Sequence, residues 1–545
     1  MKGSAFFLKT LAKLGVNNIF GIVGGEAQAI QFDEEKDINF YLTRHEFTAG
    51  IMADVYSRIS GTPQMCYSTF GPGLTNLSTG VCSAMLDRSP ILVVSAQIPR
   101  EEICYNQTHQ CIDNVEFMKP LTKYSAQLEN LIDIPKIVKE ALEIAINGIP
   151  GPVYLSFPLD LMKEKIDENL AEKLLNELTP INKKLPNQVN DEKLNGIIEE
   201  IKNSNNPIIV VGNQVIREDC CNEIIELANK FNIPVISTLA SKGVIPEDHH
   251  LFITPGNKYI DEIYQKPLIA DIFKSTDLML LIGYDFGEDL KPSLWKNDKK
   301  TIVINSFYED MGKVFQPGLL YIGDMKKSLN KIINSNINVK TFPTELKQVK
   351  EIFDKREVCN DNESFKKITS IISSIRNSIG KTGILCSDIG LHKQYAGLLS
   401  KTYTPNTFLC SNVCGSFGFG LPAALGAKLA KPNERVALIC GDGGFHSTSQ
   451  DLETAVRYNL PIVIVLLKDN AFGLIKYYQH LSREEIYNPS VEFGNVDFVK
   501  LAEANGMKAL HLDNVDYLET IMNDAFEAKR PLLIEIPINY EYKLQ

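Results

Sequence analysis

No run of about 18 consecutive apolar residues occurs in the 545-residue sequence, so a membrane-spanning helix is not expected. Nor is there a block of Lys and Arg. The net charge is −11, which argues against a general binder of nucleic acid or of anionic membranes. The 11 cysteines are odd in number and lack zinc-type spacing: Cys220 and Cys221 are adjacent, and Cys410 and Cys414 have no C-x-x-C partners. Reduced thiols in a cytoplasmic protein are therefore expected, not a disulfide or metal framework. No short-period repeat is present. No cleavage-like site follows Met1–Gly15, which reads as an amphipathic first helix of the fold.

What is present is an ordinary globular mix, 44% hydrophobic and 23% charged, which sets aside disorder, collagen and coiled coil. At roughly 150 residues per domain the length suggests three or four domains. Short apolar runs alternate with helix-length segments in three blocks. The first, 1–165, holds Asn18–Val23, Met65–Thr69, Ile91–Ala96 and Val153–Phe157. The second, 190–335, holds Pro207–Val211, Pro234–Thr238, Leu278–Ile282 and Thr301–Ile304. The third, 363–545, holds Ile384–Ser387, Val436–Cys440, Ile462–Leu467 and Leu532–Ile536. Linkers are expected at about 163–189 and 335–362. The pattern predicts an α/β protein of three doubly wound parallel-sheet domains, the first and third sharing one architecture.

The strongest local feature is the apolar run Val436–Cys440 followed by Gly441-Asp442-Gly443-Gly444, with a helix expected over about 449–458. A second run, Ile462–Leu467, ends on Lys468-Asp469-Asn470-Ala471. In a parallel sheet both acids emerge at the carboxyl edge, where open α/β folds bind ligands. Mg²⁺ favours one or two carboxylates completed by phosphate oxygens and water, and glycines let backbone N–H groups approach a diphosphate. A lone Gly-Asp-Gly would be only a tight turn; two strand-terminal acids 27 residues apart favour a metal site. In the first block, Arg44-His45-Glu46 opens a helical stretch, and Phe70-Gly71-Pro72-Gly73-Leu74-Thr75-Asn76 is another strand-to-helix turn. Alone, Glu46 would be a helix-start carboxylate.

Taken together these motifs resemble the thiamine-diphosphate enzymes of the acetohydroxyacid synthase group over nearly the whole chain. Within it, Leu42–Gly50, Leu74–Gly80, Leu86-Asp-Arg-Ser-Pro90, Thr108-His-Gln-Cys111, Gly283–Pro292, Ser416–Gly420 and Gly441–His446 most resemble the N2-(2-carboxyethyl)arginine synthase type. Thr108-His109-Gln110 and Phe493–Asp497 are shared with catabolic acetolactate synthases. The resemblance implies three domains: pyrimidine-binding, central and diphosphate-binding. It makes Glu46 the carboxyl that activates the cofactor pyrimidine, with His109 and Gln110 at the reacting carbon. It places Gly73, Asn76, Gly390, His392, Gly415, Phe417, Gly441, Gly443, Gly444 and Leu474 around thiamine diphosphate. Phe417 is the apolar wedge beneath its rings, a residue that would otherwise be read as core. Asp442, Asp469 and the Ala471 carbonyl would hold Mg²⁺.

The resemblance further implies a triose phosphate donor such as glyceraldehyde 3-phosphate, carried as an acryloyl group on the cofactor to the amine of an amino acid, arginine. Tyr259, Asp285, Glu288, Asp289 and Lys393 are the expected substrate residues, the acids facing a cationic acceptor. Lys393 stands where that type has an Arg-His pair, and Gly25 where it has Arg. The alternative is an acetolactate-synthase-like ligase acting on pyruvate; the remote one is a non-catalytic binding protein. A homodimer is the expected minimum and a homotetramer the expected assembly, since Glu46 and the Asp442 motif would come from different subunits. Only small-molecule substrates are expected as other partners, and no flavin.

Overall fold

The structure is a computed structural model that describes residues 1–25, 30–32, 35–105, 107–184, 189–264, 266–285, 287, 290, 300–307, 315–355, 363–481 and 489–540. Three six-stranded sheets follow one another along the chain. The first contains β1 (Asn18–Gly21), β2 (Asn39–Leu42), β3 (Met65–Ser68), β4 (Leu92–Gln97), β5 (Tyr124–Gln127) and β6 (Val153–Pro158), in the order β2-β1-β3-β4-β6-β5. The second contains β7 (Pro207–Val211), β8 (Val235–Thr238), β9 (Phe252–Gly256), β10 (Leu278–Ile282), β11 (Lys300–Asn305) and β12 (Leu319–Ile322), in the order β12-β11-β10-β7-β8-β9. The third contains β13 (Ile384–Ser387), β14 (Phe408–Leu409), β15 (Val436–Gly441), β16 (Ile462–Lys468), β17 (Lys508–His511) and β18 (Leu532–Pro537), in the order β14-β13-β15-β16-β18-β17. The recorded strand pairings are parallel. The central strands are buried throughout, as sheets covered by helices on both faces require.

The first and third sheets share one winding order, so the expected reuse of one architecture holds. In each, the chain leaves its first strand toward one edge and returns to the other side. This creates a crevice at the carboxyl ends of β1 and β3, and of β13 and β15. The helices that matter are α1 (Gly3–Lys13), α2 (Glu46–Ser60), α3 (Pro72–Leu86), α4 (Leu391–Leu399), α5 (Gly420–Ala430), α6 (Asp442–His446) and α7 (Gly473–Leu481). Two sequence expectations shift. The helix expected over about 449–458 is present as Ser449–Arg457, but a short helix starting on Asp442 itself precedes it. The stretch read as the second linker contains the helix Thr344–Lys355, which buries Leu346, Val349 and Phe353.

The first and third domains share one apolar core. Ala49, Met52 and Ala53 of α2 pack in the same cluster as Leu421, Ala424 and Leu425 of α5. The approach is close: a Cβ on Gly426 of α5 would lie 2.8 Å from the Met52 carbonyl oxygen of α2, while within the first domain a Cβ on Gly50 would lie 3.0 Å from Gly80 Cα of α3. A polar seam accompanies it. Arg58 on α2 donates to Asp54 (Nη2–Oδ2 2.5 Å) and to Asp87 just past α3 (Nη2–Oδ2 3.0 Å). The Asp87 carboxylate also accepts from the backbone N–H groups of Asn412 and Val413, the latter at 2.8 Å. Asp87 therefore ties the first domain to the loop that leads to Gly415 and Phe417. The ten described cysteines are free thiols.

Asp87→Ala removes one carboxylate from a buried guanidinium and leaves two backbone donors without their acceptor. It should lower stability by about 3–5 kcal/mol, seen as an earlier midpoint in urea and thermal unfolding.

Candidate active site

Two groups of residues form at the carboxyl edges of the first and third sheets. In the third sheet, β15 runs out at Gly441 and α6 starts on Asp442, which is fully buried. Asp442 Oδ1 accepts from Gly443 N at 3.0 Å and Oδ2 from Asn470 N at 2.7 Å, so the second acidic loop folds back onto the first. Asn470 takes a left-handed backbone (φ 55°) to allow this. Burial raises the pKa of both Asp442 and Asp469, and the charge of Asp442 raises that of Asp469 further. Paired acids held this way favour either a shared proton or a cation.

Above them lies a cleft of about 420 Å³ whose lining includes Gly390, His392, Gly415, Phe417, Gly441, Gly443, Gly444, Asp469, Ala471 and Leu474. The structure thus brings together in one place most of the cofactor residues picked out in the sequence. His392, on α4, is buried, and burial lowers its pKa to about 4, so the ring is neutral. Its Nε2 is a buried atom with no hydrogen-bond partner. Two of the glycines leave no room for a side chain: a Cβ on Gly390 would lie 2.4 Å from the His392 ring, and one on Gly443 would lie 2.9 Å from the Phe472 ring. Phe417 is 54% exposed at the rim, its ring 6.1 Å from that of Phe472. It is not a core residue.

One carboxylate of this site was missed. Asp388, at the end of β13, is fully buried and accepts from Ile389 N at 2.7 Å and Gly418 N at 2.9 Å. Burial pushes its pKa up to about 7. It pins the loop that carries Phe417. The signal that marked Asp442, an acid leaving an apolar strand beside glycine, is also present in Ser387-Asp-Ile-Gly390.

The second group surrounds Glu46. His45 caps α2, its Nδ1 accepting from Phe47 N at 3.1 Å, which places Glu46 at the first helical position. Glu46 is 8% exposed, and its Oε2 accepts from Asn76 Nδ2 at 3.1 Å. A Cβ on Gly73 would lie 3.4 Å from Glu46 Oε1. The loop bearing His109 and Gln110 docks on the same turn. A Cβ on Gly71 (φ +58°) would lie 2.4 Å from the Gln110 carbonyl oxygen. His109 is exposed and Gln110 half-buried. Among the described residues, none before Ile389 lines the cleft, so one chain holds the Glu46 group and the cleft as separate halves.

The expected substrate residues fare differently. Asp285 is buried and engaged: Arg88 Nε donates to its Oδ2 at 3.2 Å and Gly287 N to its Oδ1 at 2.8 Å. It bridges the first and second domains. Glu288 and Asp289 lie outside the described residues. Lys393 is buried, and its Nζ donates to the Ser411 carbonyl at 3.0 Å, away from the cleft lining. Tyr259 is buried, with its hydroxyl on that of Tyr478 on α7.

Comparison with known proteins agrees with this layout. Residues 1–117 match the Thiamine pyrophosphate enzyme N-terminal TPP binding domain, 194–332 its central domain and 388–536 its C-terminal TPP binding domain. The acetolactate synthase of Bacillus subtilis (strain 168) is 29% identical over 553 residues, covering 99% of this chain and 93% of the relative. The probable acetolactate synthase large subunit of Methanocaldococcus jannaschii is 32% identical over 562 residues, covering 99% and 92%. The acetolactate synthase large subunit of Lactococcus lactis subsp. lactis is 30% identical over 551 residues, covering 98% and 92%. The chain belongs to the thiamine pyrophosphate (thiamine diphosphate) enzyme family.

The residues present fit that cofactor: an unpartnered His392 Nε2, glycines with no room for a Cβ, and two facing acids. Among the described residues no cluster of three or more His, Cys, Asp or Glu could hold a metal. A cation here would need phosphate and carbonyl oxygens as well, which suits Mg²⁺. Asp442→Ala should weaken magnesium-dependent thiamine diphosphate binding by about 100-fold or more in calorimetric titration, since even outer-shell losses cost 10–100-fold.

Proposed function

We propose that this protein is an acetolactate-synthase-like carboligase that decarboxylates pyruvate and joins the remaining two carbons to a second ketoacid. The observation that carries the reading is the end-to-end likeness to proteins named acetolactate synthase. Asp285 and Lys393, the residues expected to recognise a cationic acceptor and a phosphorylated donor, each have a partner within the protein.

Thiamine diphosphate, when bound, supplies a nucleophilic carbon that attacks a ketone carbonyl and accepts the electrons left by decarboxylation. The protein's part is orientation and proton control. Asp442, Asp469 and the Ala471 carbonyl would hold Mg²⁺, while His392 Nε2 and the backbone of Gly441–Gly444 would receive the diphosphate. Gly415 and Phe417 would orient the rings. Glu46, which accepts a hydrogen bond from Asn76, would hold or pass a proton at its carboxyl toward the pyrimidine. His109 and Gln110 lie on the same side, positioned by Gly71. A working site needs Glu46 of one protomer over the cleft of its partner, so the assembly is a homodimer or a homotetramer of such dimers. The separation of the two halves within one chain supports this, as does the exposure of Phe417, Phe472 and Ile475 around the cleft. Among the described residues no helix is long and apolar enough to cross a membrane. A cytoplasmic setting belongs to the same proposal.

A second reading, transfer of a carboxyethyl group from glyceraldehyde 3-phosphate to an amino acid such as arginine, is favoured by one observation. Phe417, within the Ser416–Gly420 motif that resembles that synthase type, is an exposed aromatic at the rim of the cleft.

One assay separates the two. With thiamine diphosphate and Mg²⁺, pyruvate alone should yield acetolactate, while glyceraldehyde 3-phosphate with arginine should release no phosphate; the opposite pair of results overturns the proposal. Glu46→Gln should retain cofactor binding and lose turnover by about 10²–10⁴-fold, the usual span for a proton-transfer group. Unchanged turnover removes Glu46 from the mechanism.

A further inference from the structure

The cleft is lined by elements of the third domain, yet two of them are gripped from outside. Helix α4 carries His392 into the cleft, and two residues later, on its other side, Gln394 Oε1 accepts from Asn257 Nδ2 at 2.8 Å. Both side chains are buried. Helix α7 supplies Gly473, Leu474 and Ile475 to the lining. One turn further along, Tyr477 Oη donates to Glu262 Oε2 at 2.8 Å, and Tyr478 Oη accepts from Lys258 Nζ at 3.3 Å. Asn257, Lys258 and Glu262 all belong to a single turn of the central domain, where β9 passes into the short helix Ile260–Tyr264.

That turn is also hydrogen-bonded within itself. Asn257 Oδ1 accepts from Tyr259 N at 2.9 Å, and the Asn257 carbonyl accepts from Ile260 N at 3.2 Å. Tyr259 is wedged beneath Lys258, whose Nζ lies 4.8 Å from the ring, and its hydroxyl meets that of Tyr478. Burial and the neighbouring Glu262 raise the pKa of Tyr477, so the phenol keeps its proton and remains a donor.

We propose that the turn Asn257–Glu262 is a clamp that fixes the distance between α4 and α7, and with it the width of the cofactor cleft. Asn257 and Glu262 are positioning residues: neither lines the cleft, and each acts through a helix that does. The central domain then contributes to cofactor affinity without touching the cofactor. The inference rests on the cleft being the thiamine diphosphate site, and not on which ketoacid is consumed.

The test measures the dissociation constant for thiamine diphosphate at saturating Mg²⁺ by calorimetry, beside the melting temperature of the cofactor-free protein. It compares wild type, Glu262→Ala, Glu262→Gln and Asn257→Ala. Glu262 is exposed, so its variants fold even if Asn257→Ala does not. Glu262→Ala should weaken binding about five- to tenfold, the effect of one ordinary solvent-accessible hydrogen bond, with little change in melting temperature. Glu262→Gln, which keeps an acceptor for Tyr477, should recover most of that loss. Wild-type affinity in Glu262→Ala, or a loss of affinity that only tracks the melting temperature, overturns the clamp. Failure of the wild type itself to bind overturns the reading of the cleft, and the clamp with it.

Discussion

Two carboxylates, one buried and one half-buried, meet at the carboxyl edge of the third sheet, and each raises the cost of charging the other. Asp442 and Asp469 end neighbouring strands of one parallel sheet, so their backbones cannot separate without breaking the register of β15 with β16. Backbone N–H groups of Gly443 and Asn470 answer part of the charge. The remainder is left for a cation or a proton. The surrounding glycines, the neutral imidazole of His392 and the loop pinned by Asp388 leave open space directly above. The site is thus held in a state that a charged ligand relieves, and the ordered strands bear the cost.

The rest of the chain serves to present this pair and its counterpart, Glu46, without letting either drift. The first domain is tied to the third through Arg58 and Asp87, and also through Asp451, whose carboxylate accepts from Arg44 N at 2.8 Å and Thr48 Oγ1 at 2.6 Å on either side of Glu46. The second domain is tied to the third through buried Lys242, which pairs with Glu247 at 2.5 Å and donates to the Gly397 carbonyl at the end of α4. These seams are charged groups with several hydrogen bonds each, the form in which buried charge is tolerated.

The sheets were legible in the sequence because a parallel strand buried on both faces is a continuous apolar run, and such runs stand out between polar helices. Asp442, Asp469, Glu46 and the glycine turns were legible because each lies within a few residues of a strand end. What escaped reading depends on partners distant in sequence. Asp285 looked like a free acid in a loop, but Arg88, 197 residues earlier, engages it. Tyr259 met Tyr478 across 219 residues. No local pattern announces such pairs, since only the packing of whole domains brings them together.

The core shared by α2, α3 and α5 bears on how this protein is made. The apolar face of α2 leaves the ribosome some 360 residues before α5, the helix that packs on it, has been synthesised. At about 5–20 residues per second that interval is on the order of tens of seconds. During it the first domain has a finished sheet but an unfinished surface. The nascent chain therefore exposes adhesive surface for most of its synthesis, and its yield in a cell depends on what shields that surface until the last third of the chain arrives.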